Sequence, residues 1–352
     1  MIHSEEMVVY CGSEESRQLA GKVIKMTNQL RPDQKNLSIS HMDFRNWRDG
    51  EWNDKFANTD NIAGKHAIIF LSTDTEELGF KLLQFAWALK NQYSAASLTA
   101  VVPFMLYRRQ DHGEQNDRIN RNLMIISMLK DNGVDKLIVC DIHSKKTIEN
   151  GRSVGLKVIN VDPTKAYIKA LSEIREEADE KGKKIRVFSP DLGSLARSVA
   201  LARELDYSVI LSLKTRDTTG KVGIVQSGEK DEARLAELRK KHSYGKICYA
   251  NDELIHDSII IMREDEICTG GTARTTGLML KKMGAYKLIL CGTHPVLADE
   301  WKEQIFDNTP FDLILCGNTI HRGYRNTTGG LKKDVDMSGL IGHQLAEVLE
   351  AA

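Results

Sequence analysis

The chain has 352 residues, with 49 Lys and Arg side chains against 49 Asp and Glu side chains. This length predicts two α/β domains, and the balanced charge excludes a global field that attracts nucleic acid or an anionic membrane. Six cysteines without a Cys-x-x-Cys pair favour reduced, buried thiols. Because no apolar run reaches about 18 residues and the opening residues lack a signal-peptide pattern, we expect a soluble, cytoplasmic protein.

The first part of the chain predicts strands that alternate with helices. Apolar, β-branched runs predict four strands, and the segments between most of them have the apolar spacing of helices. The predicted strands lie at 7–10, 67–71, 98–104 and 136–140. Strands that alternate with helices are typical of a parallel sheet.

A loop rich in arginine, tryptophan and acids lies at 44–52. Its Asp49-Gly50 pair predicts a turn between two strands. A functional interpretation is that Trp47 offers a flat face for stacking on a base, beside Asp49 and Glu51 as hydrogen-bond acceptors. The residues alone favour the simple turn.

Polar residues follow the third and fourth predicted strands, at the carboxyl ends where open α/β sheets bind ligands. Arg109, Gln110 and Asp111 follow the third strand, and an arginine there suits phosphate contact or stacking on a base. His143 follows the fourth strand beside Asp141 and suits a metal or phosphate contact. A solvated loop and an ordinary hydrogen-bonded histidine are the alternatives.

The chain repeats itself. The segment 128–143 matches 279–294 at nine positions without a gap, and each copy predicts a helix end, a glycine cap, a strand and a histidine. The repeat therefore predicts two similar parallel-sheet domains. We expect the boundary between them within 149–164, where the sequence lacks helical spacing.

The second half continues the pattern of strand, polar cluster and helix. Strands are predicted at 185–188, 207–213, 258–262, 287–292 and 311–316. Asp191 follows the first of them, and Lys214 and Arg216 follow the second, where two cations could neutralise charge on a transferring phosphoryl group. A solvated pair of cations is the alternative. The highly charged stretch at 228–246 predicts a surface insertion.

The stretch 258–272 predicts a site for a phosphorylated sugar. Two acids leave the predicted strand, and a turn of glycine and threonine leads into a helix near Ala273. Backbone N–H groups at a helix N-terminus bind phosphate, and carboxylates suit ribose hydroxyls or Mg²⁺. An ordinary βα turn is the alternative. The residues in question are Glu264, Asp265, Thr269, Gly270, Gly271 and Thr272.

Taken in order, these motifs resemble those of the ribose-phosphate pyrophosphokinases, the phosphoribosyl pyrophosphate synthetases, across nearly the whole chain. The resemblance implies an α/β fold with two tandem doubly wound parallel-sheet domains like those of type I phosphoribosyltransferases. Residues 1–155 would form the ATP side and 156–335 the ribose 5-phosphate side, followed by a C-terminal helix at 336–352.

The resemblance also implies a role for each motif. It implies ATP as donor, ribose 5-phosphate as acceptor, Mg²⁺ as cofactor, and no nucleic-acid or membrane partner. It further implies a homo-oligomer, a dimer or a multiple such as a hexamer, because the first loop reaches a neighbour's ATP. The implied assignments are Trp47, Asp49, Glu51, Arg109, Gln110 and Asp111 for ATP, His143 and Asp191 for Mg²⁺, Lys214 and Arg216 for catalysis, and Glu264, Asp265 and 269–272 for ribose 5-phosphate.

Four features depart from the family pattern. Glu264 replaces an aspartate, Cys268 replaces an acid near the expected ribose ring, the loop after Asp111 lacks the usual basic residues, and the insertion at 228–246 is unusual. Cys268 and the altered loop keep open a catalytically weak paralogue that regulates an active synthetase. A phosphoribosyltransferase that consumes phosphoribosyl pyrophosphate would explain 264–272 but not Arg109-Gln110-Asp111.

Overall fold

The computed structural model describes residues 7–34, 36–111, 119–212, 214–216, 222–224, 232–307, 309–321 and 331–351, with the backbone alone for 214–216 and 222–224. Their contacts form two compact units. The first comprises the described residues up to 163 with 318–321 and those from 336 onward, and the second comprises the described residues of 164–317 with 331–335.

The first unit contains a six-stranded sheet in the order β2-β1-β5-β6-β7-β8, in which every neighbouring pair is parallel. Its inner strands are almost wholly buried, which explains their continuous apolar sequences. The elements are β1 (Met7–Cys11), α1 (Glu14–Leu30), β2 (Ile39–Ser40), β3 (Met42–Asp43), β4 (Lys55–Phe56), β5 (His66–Phe70), α2 (Glu76–Trp87), β6 (Ser97–Val102), α3 (Arg121–Asp131), β7 (Lys136–Cys140), α4 (Lys146–Ser153) and β8 (Lys157–Val161).

The second unit contains a seven-stranded parallel sheet in the order β13-β10-β9-β14-β15-β16-β17, and β11 pairs with β12 outside it. The elements are α5 (Thr164–Ala170), α6 (Ser172–Glu180), β9 (Ile185–Ser189), α7 (Leu195–Leu205), β10 (Ser208–Leu211), β11 (Lys214–Arg216), β12 (Val222–Ile224), α8 (Glu232–Lys241), β13 (Ile247–Tyr249), α9 (Asp252–Ile255), β14 (Ile259–Ile267), α10 (Gly271–Lys282), β15 (Lys287–Pro295), α11 (Trp301–Ile305), β16 (Leu313–Gly317) and β17 (Lys332–Val335). The predicted α/β class with two doubly wound parallel sheets is confirmed.

The internal repeat corresponds to equivalent elements in the two units. In the first copy, α3 ends before Gly133 with a φ of +86° and leads into β7; in the second, α10 ends before Gly284 with a φ of +85° and leads into β15. Each of these strands lies between the strand that precedes it and the strand that follows it in the chain. The repeated sequence therefore encodes the same helix–glycine–strand unit twice.

Strand β14 is longer than the sequence predicts. It pairs with β9 only as far as Met262 but continues along β15 to Ile267. Glu264 and Asp265 therefore lie within the strand, and the prediction that they follow its end is wrong. Pairing with β15 alone lets β14 extend beyond Met262, where its apolar run ends and where the sequence predicted the end of the strand.

The division between the units lies after Pro163, and residues 149–164 are not irregular. They include the end of α4 and all of β8, which pairs in parallel with β7 and so belongs to the first sheet. Helix α12 (Ser338–Glu350), expected as a separate tail, contacts α1 of the first unit. None of the described helices is long and apolar enough to cross a membrane.

Candidate functional site

The second sheet places two of the predicted motifs at one edge. Its strand order reverses between β9 and β14, because the chain proceeds from β9 towards β10 and from β14 towards β15. In open α/β sheets such a reversal marks the crevice at the carboxyl ends of the strands where ligands bind. The turns 189–194 and 268–270 both lie at this edge.

The turn after β14 and the start of α10 present backbone donors. Gly270 is the N-cap of α10 with a φ of +82°, and no side chain within the described structure forms a hydrogen bond at this cap. The first helical hydrogen bond runs from Arg274 N to Gly270 O at 2.8 Å. The preceding N–H groups thus lie at the positive end of a helix, beside the exposed Thr269 and Thr272. This geometry suits a phosphate.

Close packing requires glycine at position 270. A Cβ atom built there would overlap Cγ1 of Ile305, and Ile305 of α11 is fully buried. Helix α11 therefore holds the turn against the sheet. By contrast, a Cβ on Gly271 would meet nothing closer than Gln304 Oε1 at 4.0 Å.

The acidic pair of β14 is held by two arginines that the sequence analysis did not assign to the site. Asp265 has a buried side chain, and its Oδ2 lies 3.6 Å from Nη2 of Arg197 in α7. Glu264 is half-buried. Arg263 is almost fully buried, donates to the carbonyl oxygen of Glu264, and donates to Thr293 Oγ1 at 2.9 Å. Its position between an apolar run and two acids is a signal in the sequence that could have identified it.

The environment of Arg263 is also aromatic. Its guanidinium carbon lies 4.6 Å from the ring centroid of Tyr167, a cation–π distance. Burial raises the pKa of the Tyr167 phenol well above its ordinary value, and the arginine partly opposes that rise. These contacts keep the acidic half of β14 in a fixed position.

The turn after β9 fixes the predicted metal ligand Asp191. Its Oδ1 accepts a hydrogen bond from Ser194 N at 2.9 Å, and Ser194 Oγ lies 3.2 Å from the same oxygen. The buried hydroxyls of Ser189 and Ser194 are 2.9 Å apart beneath this turn. Asp191 itself is exposed, so its carboxylate is held at the surface of the crevice.

In the first unit, the loop after β6 carries the Arg109-Gln110-Asp111 motif, whose members differ in burial. Arg109 and Gln110 are exposed, whereas Asp111 is buried and accepts a hydrogen bond from Ser144 Oγ. Gln110 Oε1 accepts from Arg121 Nη1 at 2.7 Å. Asp111 therefore connects this loop to the loop after β7, a structural contact that the sequence did not indicate.

The loop after β7 carries His143 at the surface. The preceding Asp141 is buried with a φ of +46°, and its carbonyl oxygen accepts from Arg108 Nη2 at 2.8 Å. Ile142 N donates to Asn160 Oδ1 at 3.0 Å. Among the residues with described side chains, no three His, Cys, Asp or Glu residues come together in a cluster that could hold a metal ion.

The predicted turn at Asp49-Gly50 between two strands is confirmed. Gly50 has a φ of +93° and donates to Trp47 O at 3.0 Å, and Trp47 N donates to Glu51 O at 2.7 Å. Trp47 is 59% exposed at the tip of this hairpin, and the carboxylates of Asp49 and Glu51 are exposed beside it. An exposed indole on a tight turn is available for stacking on a planar ligand.

Some predicted residues lie outside what the structure describes. Lys214 and Arg216 form the ends of β11, but their side chains are not described, and neither is the loop 112–118. The described part of the charged insertion contains α8, in which only Leu235 is buried. That helix is the surface element predicted for 228–246.

Comparisons with known proteins point to one family. A family model described as the N-terminal domain of ribose phosphate pyrophosphokinase matches residues 7–133. The ribose-phosphate pyrophosphokinase of Ralstonia nicotianae is 27% identical over 74% of this chain and 72% of its own length. The Thermotoga maritima protein of that name is 24% identical over 99% of this chain and 96% of its own.

A solved structure shares the fold. The crystal structure of phosphoribosylpyrophosphate synthetase from Mycobacterium smegmatis superimposes with a TM-score of 0.76 at 18% identity. The match covers 99% of this chain and 100% of that one. At this identity the likeness establishes the fold, and it extends over both units.

Proposed function

The chain is a relative of the ribose-phosphate pyrophosphokinases, and on that premise we propose that it makes phosphoribosyl pyrophosphate. In this reaction the 1-hydroxyl oxygen of ribose 5-phosphate attacks the β-phosphorus of ATP. The bond from that phosphorus to the α–β bridging oxygen breaks, AMP leaves, and the hydroxyl proton is released. The observation that carries the proposal is the set of backbone N–H donors at the N-terminus of α10, which no described side chain caps, beside the acidic stretch of β14.

The second unit would bind ribose 5-phosphate. Its 5-phosphate would accept hydrogen bonds from the N–H groups at Gly271 and Thr272 and from the hydroxyls of Thr269 and Thr272. Glu264 and Asp265 would accept hydrogen bonds from the ribose hydroxyls, with Arg197 orienting the Asp265 carboxylate. Such contacts fix the attacking hydroxyl, and positioning supplies much of the rate in phosphoryl transfer.

The first unit would supply the contacts to ATP. Trp47 would stack on the adenine, with Asp49 and Glu51 as acceptors for its amino group or the nucleotide hydroxyls. Arg109 and Gln110 are exposed and would contact the nucleotide directly, whereas the buried Asp111 would hold their loop in place. If Trp47 contacts the ATP of a neighbouring subunit, the active protein is at least a dimer.

The residues present fit Mg²⁺ only if the substrate supplies most of its ligands. Asp191 offers one exposed carboxylate, and the described side chains form no cluster of three metal ligands. Such residues suit an ion bound largely by phosphate oxygens and water. The nitrogen of His143 is a less suitable donor for this ion than an oxygen. Bound there, the ion would neutralise phosphate charge, while Asp191 would help to orient it.

A second candidate function is a catalytically weak paralogue that regulates an active synthetase. The partly exposed Cys268 lies directly after β14, where the family resemblance implies an acid near the ribose ring. The loss of one carboxylate would weaken sugar binding. This candidate predicts ATP binding without sugar-dependent formation of AMP.

Replacement of Lys214 by Ala tests the proposed catalytic pair. We expect kcat to fall on the order of 100-fold or more, because a cation that stabilises the transferring group acts mainly in the transition state, and we expect the Kd for ATP to change little. Steady-state kinetics and equilibrium dialysis measure the two effects. Lys240→Ala, an exposed lysine of α8, is the matched control, and equal losses in kcat and ATP affinity in the Lys214 variant would contradict the role.

A further inference from the structure

The hairpin that carries Trp47 is a short two-stranded ribbon. Strands β3 and β4 pair at two positions, one bridge joins Asn46 to Trp52, and backbone hydrogen bonds run from Asn53 N to Arg45 O at 2.8 Å and from Ala57 N to His41 O at 3.0 Å. A ribbon this short is marginally stable in water without other packing. The position of its tip must therefore depend on contacts with the rest of the unit.

A lysine beneath the hairpin supplies such a contact. Lys81 belongs to α2 and is 8% exposed, which is unusual for a lysine. Its Nζ lies 2.9 Å from Oδ2 of Asp54, and the two side chains are 10% and 7% exposed. A buried charge of this kind is retained when it has a partner of opposite sign.

The same ammonium group contacts both arms of the hairpin. It lies 5.4 Å from the ring centroid of Phe44 on one arm and 5.0 Å from that of Trp52 on the other, within the range of cation–π attraction. Asp54 Oδ1 also accepts a hydrogen bond from Arg45 N at 3.3 Å. One ion pair therefore joins α2 to both arms of the hairpin.

We propose that Lys81 and Asp54 are positioning residues for ATP, which set the hairpin so that Trp47 meets the adenine. The inference rests on the proposed function, because it takes ATP as the ligand of Trp47. Neither residue would touch the nucleotide. Both act by keeping the arms at 44–45 and 52–54 fixed on α2.

Four variants distinguish the effect of losing the ion pair from the effect of a general loss of stability. Lys81→Met removes the ammonium group and keeps an apolar stem, whereas Lys81→Arg keeps the charge. Asp54→Asn removes the opposite charge but keeps an acceptor for Arg45 N. Lys22→Met is the matched control, because Lys22 Nζ forms an exposed ion pair with Asp336 at 3.0 Å elsewhere in the same unit.

Two readouts are measured on the full chain. We expect Lys81→Met and Asp54→Asn to raise the KM for ATP about tenfold, with kcat and the KM for ribose 5-phosphate changed by less than about twofold. We also expect faster tryptic cleavage after the exposed Arg45 and Arg48, detected by mass spectrometry. Lys22→Met should change neither readout. Lys81→Arg, which keeps the charge, should give a KM for ATP and a cleavage rate close to those of the wild-type chain.

The outcomes distinguish this inference from the proposed function. A folded Lys81→Met chain with unchanged KM for ATP overturns the inference, even if the hairpin is cleaved faster. If Lys81→Met does not fold, the KM of Asp54→Asn for ATP decides by the same criterion. If the wild-type chain forms no sugar-dependent AMP, the proposed reaction fails, and the Kd for ATP then decides. A Kd about tenfold weaker in the variants supports the inference, and an unchanged Kd or no ATP binding overturns it.

Discussion

Gly270 combines two constraints that no other residue type meets. Its φ of +82° lies in the region that costs an L-residue about 1–2 kcal/mol, and a Cβ atom would overlap Ile305 of α11. Gly271, next along the chain, has neither constraint. Alanine at the two positions therefore separates the combined effect of backbone strain and overlap at 270 from the effect of adding a methyl group alone.

Substitution of Gly270 by Ala should destabilise the second unit and disrupt phosphate binding. We expect the free energy of unfolding to fall by about 2 kcal/mol or more, since strain and overpacking both act. Gly271→Ala should change it by less than about 0.5 kcal/mol, because Ala is tolerated in the first turn of a helix. Denaturant unfolding of each variant measures the change in the free energy of unfolding. Similar changes for the two substitutions would contradict the assigned geometry.

The sequence predicted local backbone geometry where a motif carries its own signal. The turn at Gly270 before α10 and the Asp49-Gly50 turn both followed from local backbone preferences. It did not predict that Arg197 pairs with Asp265, because that contact joins residues from different elements. Nor did it predict the partly buried hydrogen bond from Ser144 to Asp111, since periodicity reports which residues are apolar and not which polar ones meet.

At the scale of elements, the packing of α12 on α1 shows how a small residue sets the distance between two helices. A Cβ atom on Gly342 would lie 2.8 Å from Met26 Cβ and 2.9 Å from Val23 O. Thr27 Oγ1 also donates to Gly342 O at 3.1 Å. The helices therefore approach closely only because position 342 has no side chain.

Substitution of Gly342 by Ala should weaken this contact. The new methyl group overlaps backbone as well as side chain, so we expect a loss of about 1–3 kcal/mol in the free energy of unfolding. Gly339→Ala is the control, because its Cβ would meet nothing closer than Met26 Cε at 3.9 Å. Thermal unfolding compares the two, and an unchanged Tm for Gly342→Ala would show that α12 does not pack as described.

Element boundaries were predicted least well where pairing rather than composition sets them. The apolar run of β14 ends at Met262, but pairing with β15 extends the strand to Ile267. The apolar runs of the sequence predicted the nine inner strands of the two sheets and missed the four edge strands, β2, β8, β13 and β17. Pairing with neighbours in the sheet determines how far each strand runs.

For the whole molecule, the internal repeat was the most informative feature of the sequence. It predicted two parallel-sheet units from the residues alone, and β7 and β15 occupy equivalent places in the two sheets. The repeat did not reveal that residues 318–321 and the last helix belong to the first unit. The return of these segments to the first unit depends on long-range contacts, for example the hydrogen bond from Ser72 Oγ to Thr319 O at 2.5 Å.

Synthesis of phosphoribosyl pyrophosphate is tested by AMP formation from ATP by the purified chain with Mg²⁺, with and without ribose 5-phosphate. We expect AMP to appear only when the sugar phosphate is present, with an equal amount of phosphoribosyl pyrophosphate. Cys268 would then be compatible with catalysis. ATP binding without any sugar-dependent AMP would contradict the synthetase reaction and favour the regulatory paralogue.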